Sequence, residues 1–476
     1  MANTNDKVAT GKKHPVVVLG SGPGGYAAAF RMADLGMEVT LIERNRALGG
    51  VCLNVGCIPS KTLLHLAEMC HEVPALKDHG LDFGAAKLDQ SKIIDFKEQV
   101  INKLTKGLEQ LASARKVNVI HADAKFCGTH QLELKSKDKV EVIDFETCVI
   151  AAGSEPIKLP FIPEDERVLD STSALELKKI NGKMLIIGGG IIGCEMGTVY
   201  NAFGSDVCIV EMTNEIMPGA DRDIVKPCQK TMASRGIDFR LNTKVVSVEA
   251  SARGLKVEFE GANAPEKAEI YDQILVSVGR VPNGRMIDIE KAGVNLDERG
   301  FVITDEQLRT NQPHIYAIGD ITSNPMLAHK ATGEGRVVAE VIAGKRVKLD
   351  AACIPSVAYT DPEVAWVGAT ATELKAKGVN FKKGVFPWLA NGRSLCLGRS
   401  EGKTIIYYDT DTGRVLGGGI VGKVAGDLIG VIGFAIEMGA DIHDIAMTVF
   451  PHPTLVETVG QAAEMAIGEP VDLLPE

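Results

Sequence analysis

Cys52 and Cys57 stand five residues apart in Gly49-Gly50-Val51-Cys52-Leu53-Asn54-Val55-Gly56-Cys57-Ile58-Pro59-Ser60-Lys61. Two thiols so close can form and break a disulfide, which is two-electron chemistry. Along a helix, five residues turn the second side chain about 140° past a full turn, so a kinked first turn is needed to join the sulfurs. A helix N-terminus also stabilises a thiolate. The alternative is a pair of packed structural cysteines, the usual case in a reducing cell. The setting favours a redox pair: the segment starts a few residues after Glu43 and ends in Pro-Ser-Lys. Near the other end stands His452-Pro453-Thr454-Leu455-Val456-Glu457. Glu457 can accept from one imidazole nitrogen and fix the tautomer, leaving the other to take a thiol proton. Cys52, Cys57, His452 and Glu457 are therefore the candidate catalytic set. The remaining eight of ten cysteines lie scattered in segments such as Thr147-Cys148-Val149 and read as packing residues.

Two glycine-rich stretches could hold a dinucleotide. They are Gly20-Ser21-Gly22-Pro23-Gly24-Gly25 and Gly188-Gly189-Gly190-Ile191-Ile192-Gly193. Gly20 and Gly188 suit a tight turn, and Gly22 and Gly190 a close approach of backbone to pyrophosphate at a helix N-terminus. Gly25 and Gly193 suit close packing of helix on strand. Glu43 and Glu211 each follow the last glycine by 18 residues, where a carboxylate accepts from ribose hydroxyls. Such a carboxylate repels a 2′-phosphate, so Glu211 favours NAD over NADP.

These residues need strand–turn–helix units to position them. Pro15 to Leu19 is a continuous apolar run, a buried parallel strand by pattern. Tyr26 to Leu35 has helical period, and Val39 to Ile42 is the next strand. The pattern restarts 168 residues on, with a strand at Met184–Ile187, a helix at Ile192–Phe203 and a strand at Val207–Val210. Duplication implies two nucleotide-binding domains. A long helix is expected at Ser91–Arg115 and β-rich structure over Val117–Ile150. Beyond about residue 350, strands at 356–359, 403–408 and 415–421 precede helices at 427–438 and 455–467, an α+β pattern. The fold class is thus α/β: two Rossmann-like domains plus a C-terminal α+β domain.

The chain of 476 residues is long enough for about three domains. Its net charge of −10 argues against nucleic acid, no apolar run approaches a membrane span, and no Cys/His cluster suggests a metal site. No apolar leader opens the sequence, so a cytoplasmic location and a polar tail over 1–14 are expected.

The segment from Gly49 to Lys61 resembles the active-site segment of the flavoprotein disulfide reductases, most closely the branch that oxidises dihydrolipoyl groups for 2-oxo acid dehydrogenase complexes. The likeness runs from about Pro15 to about Leu474. It implies FAD on the first fingerprint (Gly20, Gly22, Gly25, Glu43) and NAD on the second (Gly188, Gly190, Gly193, Glu211). Lys61 is then expected near the flavin with Glu195 as its partner. Ala124 stands where the family usually has Gly beside FAD. Ile315-Tyr316-Ala317-Ile318-Gly319-Asp320 is similar to the second FAD motif, with Asp320 on the ribityl chain and Ala328 near the flavin. Val245 matches a position near the NAD adenine, and Gly279 and Arg280 close the NAD domain. The implied segments are FAD domain 15–155, NAD domain 156–279, FAD/central domain 280–350 and dimerisation domain 351–476. The HPTxxE segment resembles the family's base dyad, which serves the disulfide of the other subunit and so implies a homodimer. Phe450-Pro451 departs from the family pattern just before it. Implied partners are the acyltransferase core and lipoyl domains of those complexes, or the glycine cleavage H protein. Rival readings are a glutathione- or mercuric-type reductase, or a non-catalytic flavin-bearing scaffold.

Overall fold

The protein is described by a computed structural model over residues 8–84, 86–137 and 139–474. Residues 1–7 of the expected tail lie outside the described residues. The rest of that stretch is not tail, because the first strand runs Val8–Leu19. It pairs in parallel with the strand Val140–Ile150, through Val8 opposite Glu141 and His14 opposite Phe145. Buried His14 places Nδ1 2.8 Å from Thr40 Oγ1, so a polar residue extends the strand where no apolar pattern announces it.

The chain forms two compact units. The first comprises 1–62, 91–157 and 279–350, and the second 63–90, 158–278 and 351–476. In the first, strands are ordered Asn118–His121, Val39–Glu43, Val8–Leu19, Val140–Ile150, with Ile315–Ala317 pairing onto the far side of the last. These pairings are all parallel. Strands Asp123–Gly128 and Gln131–Lys135 add an antiparallel meander to Val140–Ile150. Apolar side chains cover both sheet faces, as a parallel sheet demands.

The second unit repeats the plan. Its parallel order is Asp238–Arg240, Ser205–Val210, Gly182–Ile187, Gln273–Val276, Val168–Leu169, again with an antiparallel meander, Thr243–Ser251, Gly254–Gly261 and Glu269–Tyr271. The fingerprint helices Pro23–Asp34 and Ile191–Ala202 match residue for residue at the offset of 168. The same unit holds a five-stranded antiparallel sheet from Ser356 to Gly422, covered by helices Ala425–Glu437 and Glu457–Ile467. The expected NAD and dimerisation segments thus form one compact body. The reason is local: helix Arg222–Ser234 packs on strand Val415–Gly422. A Cβ on Gly419 would come within 2.6 Å of Ile224, so glycine there lets the isoleucine seat.

The turns after the first strands are built by glycine. Gly20 has φ +102° and Gly188 φ +107°, a region that favours glycine. A Cβ on Gly25 would overlap the carbonyl oxygen of Gly20, and one on Gly193 that of Gly188. Gly22 and Gly190 differ, for a Cβ there would meet nothing within 4 Å.

A second turn is held by charge. Lys330 and Glu334 lie on helix Ala328–Ile342 and form a 2.8 Å ion pair with side chains 4% and 2% exposed. Glu334 also accepts the Gly319 N–H at 2.6 Å, and Lys330 Nζ lies 3.4 Å from Gly319 O. The pair therefore fixes the turn that carries Asp320. Among the described residues, no helix is long and apolar enough to cross a membrane.

Two predictions follow from these turns. Gly25→Ala should lower the unfolding temperature markedly, whereas Gly22→Ala should leave it near wild type and instead weaken dinucleotide binding, measured by calorimetry. Lys330→Met strands a buried carboxylate and should cost about 3–5 kcal/mol of stability in a denaturant titration.

Candidate active site

Cys52 lies in the short helix Gly50–Val55 and Cys57 opens the long helix Cys57–Ala75. Gly56 is the break between them. A Cβ there would sit 2.8 Å from Val51 O and 3.3 Å from Cys52 Cα, so glycine permits the jog that returns Cys57 beside Cys52. The short helix is seated on the first fingerprint: Gly49 N–H donates to Ser21 O at 3.0 Å, and a Cβ on Gly50 would lie 2.6 Å from Gly22 Cα. Cys57 is exposed and Cys52 half-buried. The Cys52 thiol is held far above the usual range, first by its hydrogen bond to Cys57 and then by burial. The Lys61 ammonium opposes that shift and the Asp320 carboxylate adds to it. The first unit thus brings Cys52, Cys57, Lys61 and Asp320 within electrostatic reach of one another. Tyr26 joins them. Burial raises its phenol, and both thiols add to the effect.

The fingerprints fit a dinucleotide. Beside each open Gly22 and Gly190 position, a strand-end carboxylate is held in one geometry. Glu43 Oε2 accepts Ser21 N–H at 3.0 Å and Oε1 accepts Asn45 N–H at 2.8 Å. Glu211 Oε2 accepts Gly189 N–H at 2.8 Å and Oε1 accepts Thr213 N–H at 2.9 Å. Glu43 also accepts from the Ser21 hydroxyl and the Asn45 side-chain amide, which fills its roughly four lone-pair sites, so a ribose hydroxyl there would replace one of these side-chain bonds; Glu211 also accepts from the Thr213 hydroxyl and keeps capacity for a ribose hydroxyl. The bond to the loop also ties the acid to the glycine turn.

Other expected site residues fall as follows. Asp320 follows strand Ile315–Ala317 and its Oδ2 accepts Ser154 O–H at 2.7 Å. Ala328 opens its helix, two residues before Lys330 of the buried ion pair. Ala124 is buried on strand Asp123–Gly128 among Phe126, Leu132 and Leu134. Val245 is buried on strand Thr243–Ser251. Gly279 has φ +127° and with Arg280 belongs to the first unit, where Arg280 binds Ser154. Glu195 is buried on helix Ile191–Ala202 and accepts Tyr359 N–H at 2.9 Å. Lys61 lies in the first unit and Glu195 in the second. Sequence reasoning missed Ser21, Tyr26, Ser154 and the Lys330–Glu334 pair. The last has a signal, acid four residues after base, but such a pair normally reads as solvated.

In the second unit, His452 Nδ1 lies 2.8 Å from Glu457 Oε1. A carboxylate only accepts, so Nδ1 carries the proton and Nε2 is left as the base. Glu457 is itself fixed. It is the first residue of helix Glu457–Ile467, where negative charge is favoured, and its Oε2 accepts Thr454 N–H at 2.6 Å. The imidazole is 77% exposed, so its free nitrogen is open to an approaching group. Phe450, outside the family pattern, packs over Gly460, where a Cβ would lie 2.9 Å from its ring.

Comparison with known proteins agrees with this architecture. Residues 14–335 match the family model "Pyridine nucleotide-disulphide oxidoreductase", and 354–463 match the dimerisation domain of that family. The chain is 54% identical over 462 residues to dihydrolipoyl dehydrogenase of Vibrio cholerae, covering 97% of each chain. It is 40% identical over 459 residues to that of Bacillus subtilis, covering 96% of this chain and 97% of the relative. The solved HOCl-induced flavoprotein disulfide reductase RclA from Escherichia coli superposes with a TM-score of 0.85 at 26% identity, over 95% of this chain and all of the other. The chain accordingly belongs to the pyridine nucleotide-disulphide oxidoreductases, with that family's dimerisation domain at its C-terminal end.

Proposed function

We propose that this protein is a dihydrolipoyl dehydrogenase, oxidising protein-bound dihydrolipoamide to lipoamide with NAD⁺. The observation that carries the reading is the cysteine pair, set at the Gly56 break and seated on the first fingerprint. The 54% identity to a relative of that activity supports it. FAD on Gly20, Gly22, Gly25, Glu43 and Asp320 would supply the two-electron carrier between the dithiol and NAD⁺. NAD⁺ is assigned to Gly188, Gly190, Gly193 and Glu211, whose charge disfavours a 2′-phosphate. Lys61, with Glu195 as its partner, is assigned to the flavin side of the pair.

The protein's own residues divide the work. His452 Nε2 takes a proton from the substrate dithiol, and Glu457 stabilises the imidazolium that results. The substrate thiolate attacks Cys52 Sγ of the Cys52–Cys57 disulfide, forming a mixed disulfide and releasing Cys57 as thiolate. The Lys61 ammonium favours negative charge at the pair, opposing the rise of the Cys52 thiol. The second substrate thiol then displaces Cys52, which leaves lipoamide oxidised and the cysteine pair reduced. The raised Cys52 thiol, held by its hydrogen bond to Cys57 and by burial, is consistent with Cys52 ending the cycle as a thiol. In the homodimer that the dimerisation domain supports, His452 would serve the disulfide of the other subunit. The partners proposed are the lipoyl domains and acyltransferase core of 2-oxo acid dehydrogenase complexes, or the glycine cleavage H protein, in the cytoplasm.

His452→Ala should cut dihydrolipoamide-driven NAD⁺ reduction by about 10²–10⁴-fold. Reduction of an artificial dye by NADH, which needs no thiol proton transfer, should persist in the same variant. Equal loss of both activities would remove His452 from the base role. Activity with oxidised glutathione and NADPH, and none with dihydrolipoamide and NAD⁺, would overturn the assignment.

A further inference from the structure

The first unit is left by the chain after residue 157 and re-entered at 279. The two crossing segments, Ser154–Pro156 and Arg280–Pro282, pair as a small antiparallel ribbon, with Pro282 opposite Ser154. The ribbon is anchored on its own unit. Asn283 Nδ2 donates to Ala152 O at 2.8 Å, and Asn283 N–H to Gly153 O at 3.0 Å. Arg280 Nη2 donates to Ser154 O at 2.6 Å, and Arg280 Nε to Ser154 Oγ at 2.7 Å. Ser154 Oγ in turn donates to Asp320 Oδ2 at 2.7 Å.

A serine hydroxyl has one proton and accepts through its lone pairs. With Arg280 Nε–H occupying a lone pair, the only proton of buried Ser154 is directed at the Asp320 carboxylate. The hydroxyl thus bridges a guanidinium and a carboxylate, and charge at both ends strengthens both bonds. Asp320 keeps its other oxygen for a ligand.

We infer that Ser154 and Arg280 are positioning residues of the flavin site: they aim the Asp320 carboxylate and tie it to the ribbon through which the chain leaves and re-enters that unit. Arg280 then acts on flavin retention and not on NAD⁺, against the expectation from its place in the sequence. The inference rests on the reading of the Gly20–Asp320 site as flavin-binding.

The test uses purified holoenzyme. FAD release is followed by the rise in flavin fluorescence on dilution, and NAD⁺ affinity by equilibrium dialysis. Ser154→Ala and Arg280→Lys should release FAD about tenfold faster, the effect of one charge-assisted hydrogen bond. Ser154→Thr, which keeps the hydroxyl, should retain FAD near the wild-type rate, and NAD⁺ affinity should stay within about twofold in all three. FAD release at the wild-type rate in Ser154→Ala would overturn the inference. So would an Arg280→Lys variant that loses NAD⁺ affinity more than FAD. A fall in unfolding temperature equal in apoprotein and holoprotein would reduce both residues to a structural role and overturn it too. A wild-type protein that carries no flavin and takes up none would instead sink the reading on which the inference rests.

Discussion

The contact of Gly25 with the Gly20 carbonyl, and its duplicate of Gly193 with Gly188, is the constraint on which the rest depends. Each lets a helix start directly above the end of a buried strand. That places unpaired N–H groups of the first turn at the sheet's C-terminal edge, where an anion is favoured. Any side chain at the two closing glycines would push the helix away and open the turn. The carboxylates of Glu43 and Glu211 brace the same loops from the neighbouring strand, so the proposed ribose acceptor and the proposed pyrophosphate cradle are one object.

The redox pair inherits its place from the first of these turns. Gly50 leaves no gap above Gly22, and Gly49 bonds Ser21, which also bonds Glu43. The short helix carrying Cys52 therefore rests on the nucleotide loop itself. Gly56 then reverses the chain so that Cys57 returns to its neighbour. The thiol pair rests on the fingerprint through backbone contacts, and the Asp320 carboxylate reaches the pair electrostatically. The buried Lys330–Glu334 pair holds the Asp320 turn, at a desolvation cost that only full hydrogen bonding offsets.

His452 follows a different logic. Its orientation comes from local sequence, through Glu457 at a helix start and the Thr454 N–H that fixes that carboxylate, with Thr454 O also bonded by the distant Asn391 amide. The exposed imidazole leaves its Nε2 open to solvent, as the base role proposed for it requires.

Local patterns were enough to read the duplicated fingerprints, their acids, the cysteine pair and the His–Glu dyad. Glycine spacing and strand-to-helix periodicity act over a few residues, and those residues carry their own physical reasons. The C-terminal strands were legible in part: those expected at 356–359, 403–408 and 415–421 correspond to Ser356–Ala358, Lys403–Asp409 and Val415–Gly422, while Glu363–Gly368 and Phe381–Pro387 were not singled out. The strand extension back to Val8 was also hidden, because its partner lies more than a hundred residues away. Tertiary structure alone decided the rest. Arg280 lies 126 residues after Ser154 and 40 residues before Asp320, and only chain return brings the three into one hydrogen-bonded line. Lys330 and Glu334 look like a solvated helix pair until packing removes water from both. Sequence determines which residue types could do chemistry and which backbone turns they allow. Burial and long-range pairing decide which of them share a proton, a charge or a ligand, since those energies depend on distance and solvent rather than on position in the chain.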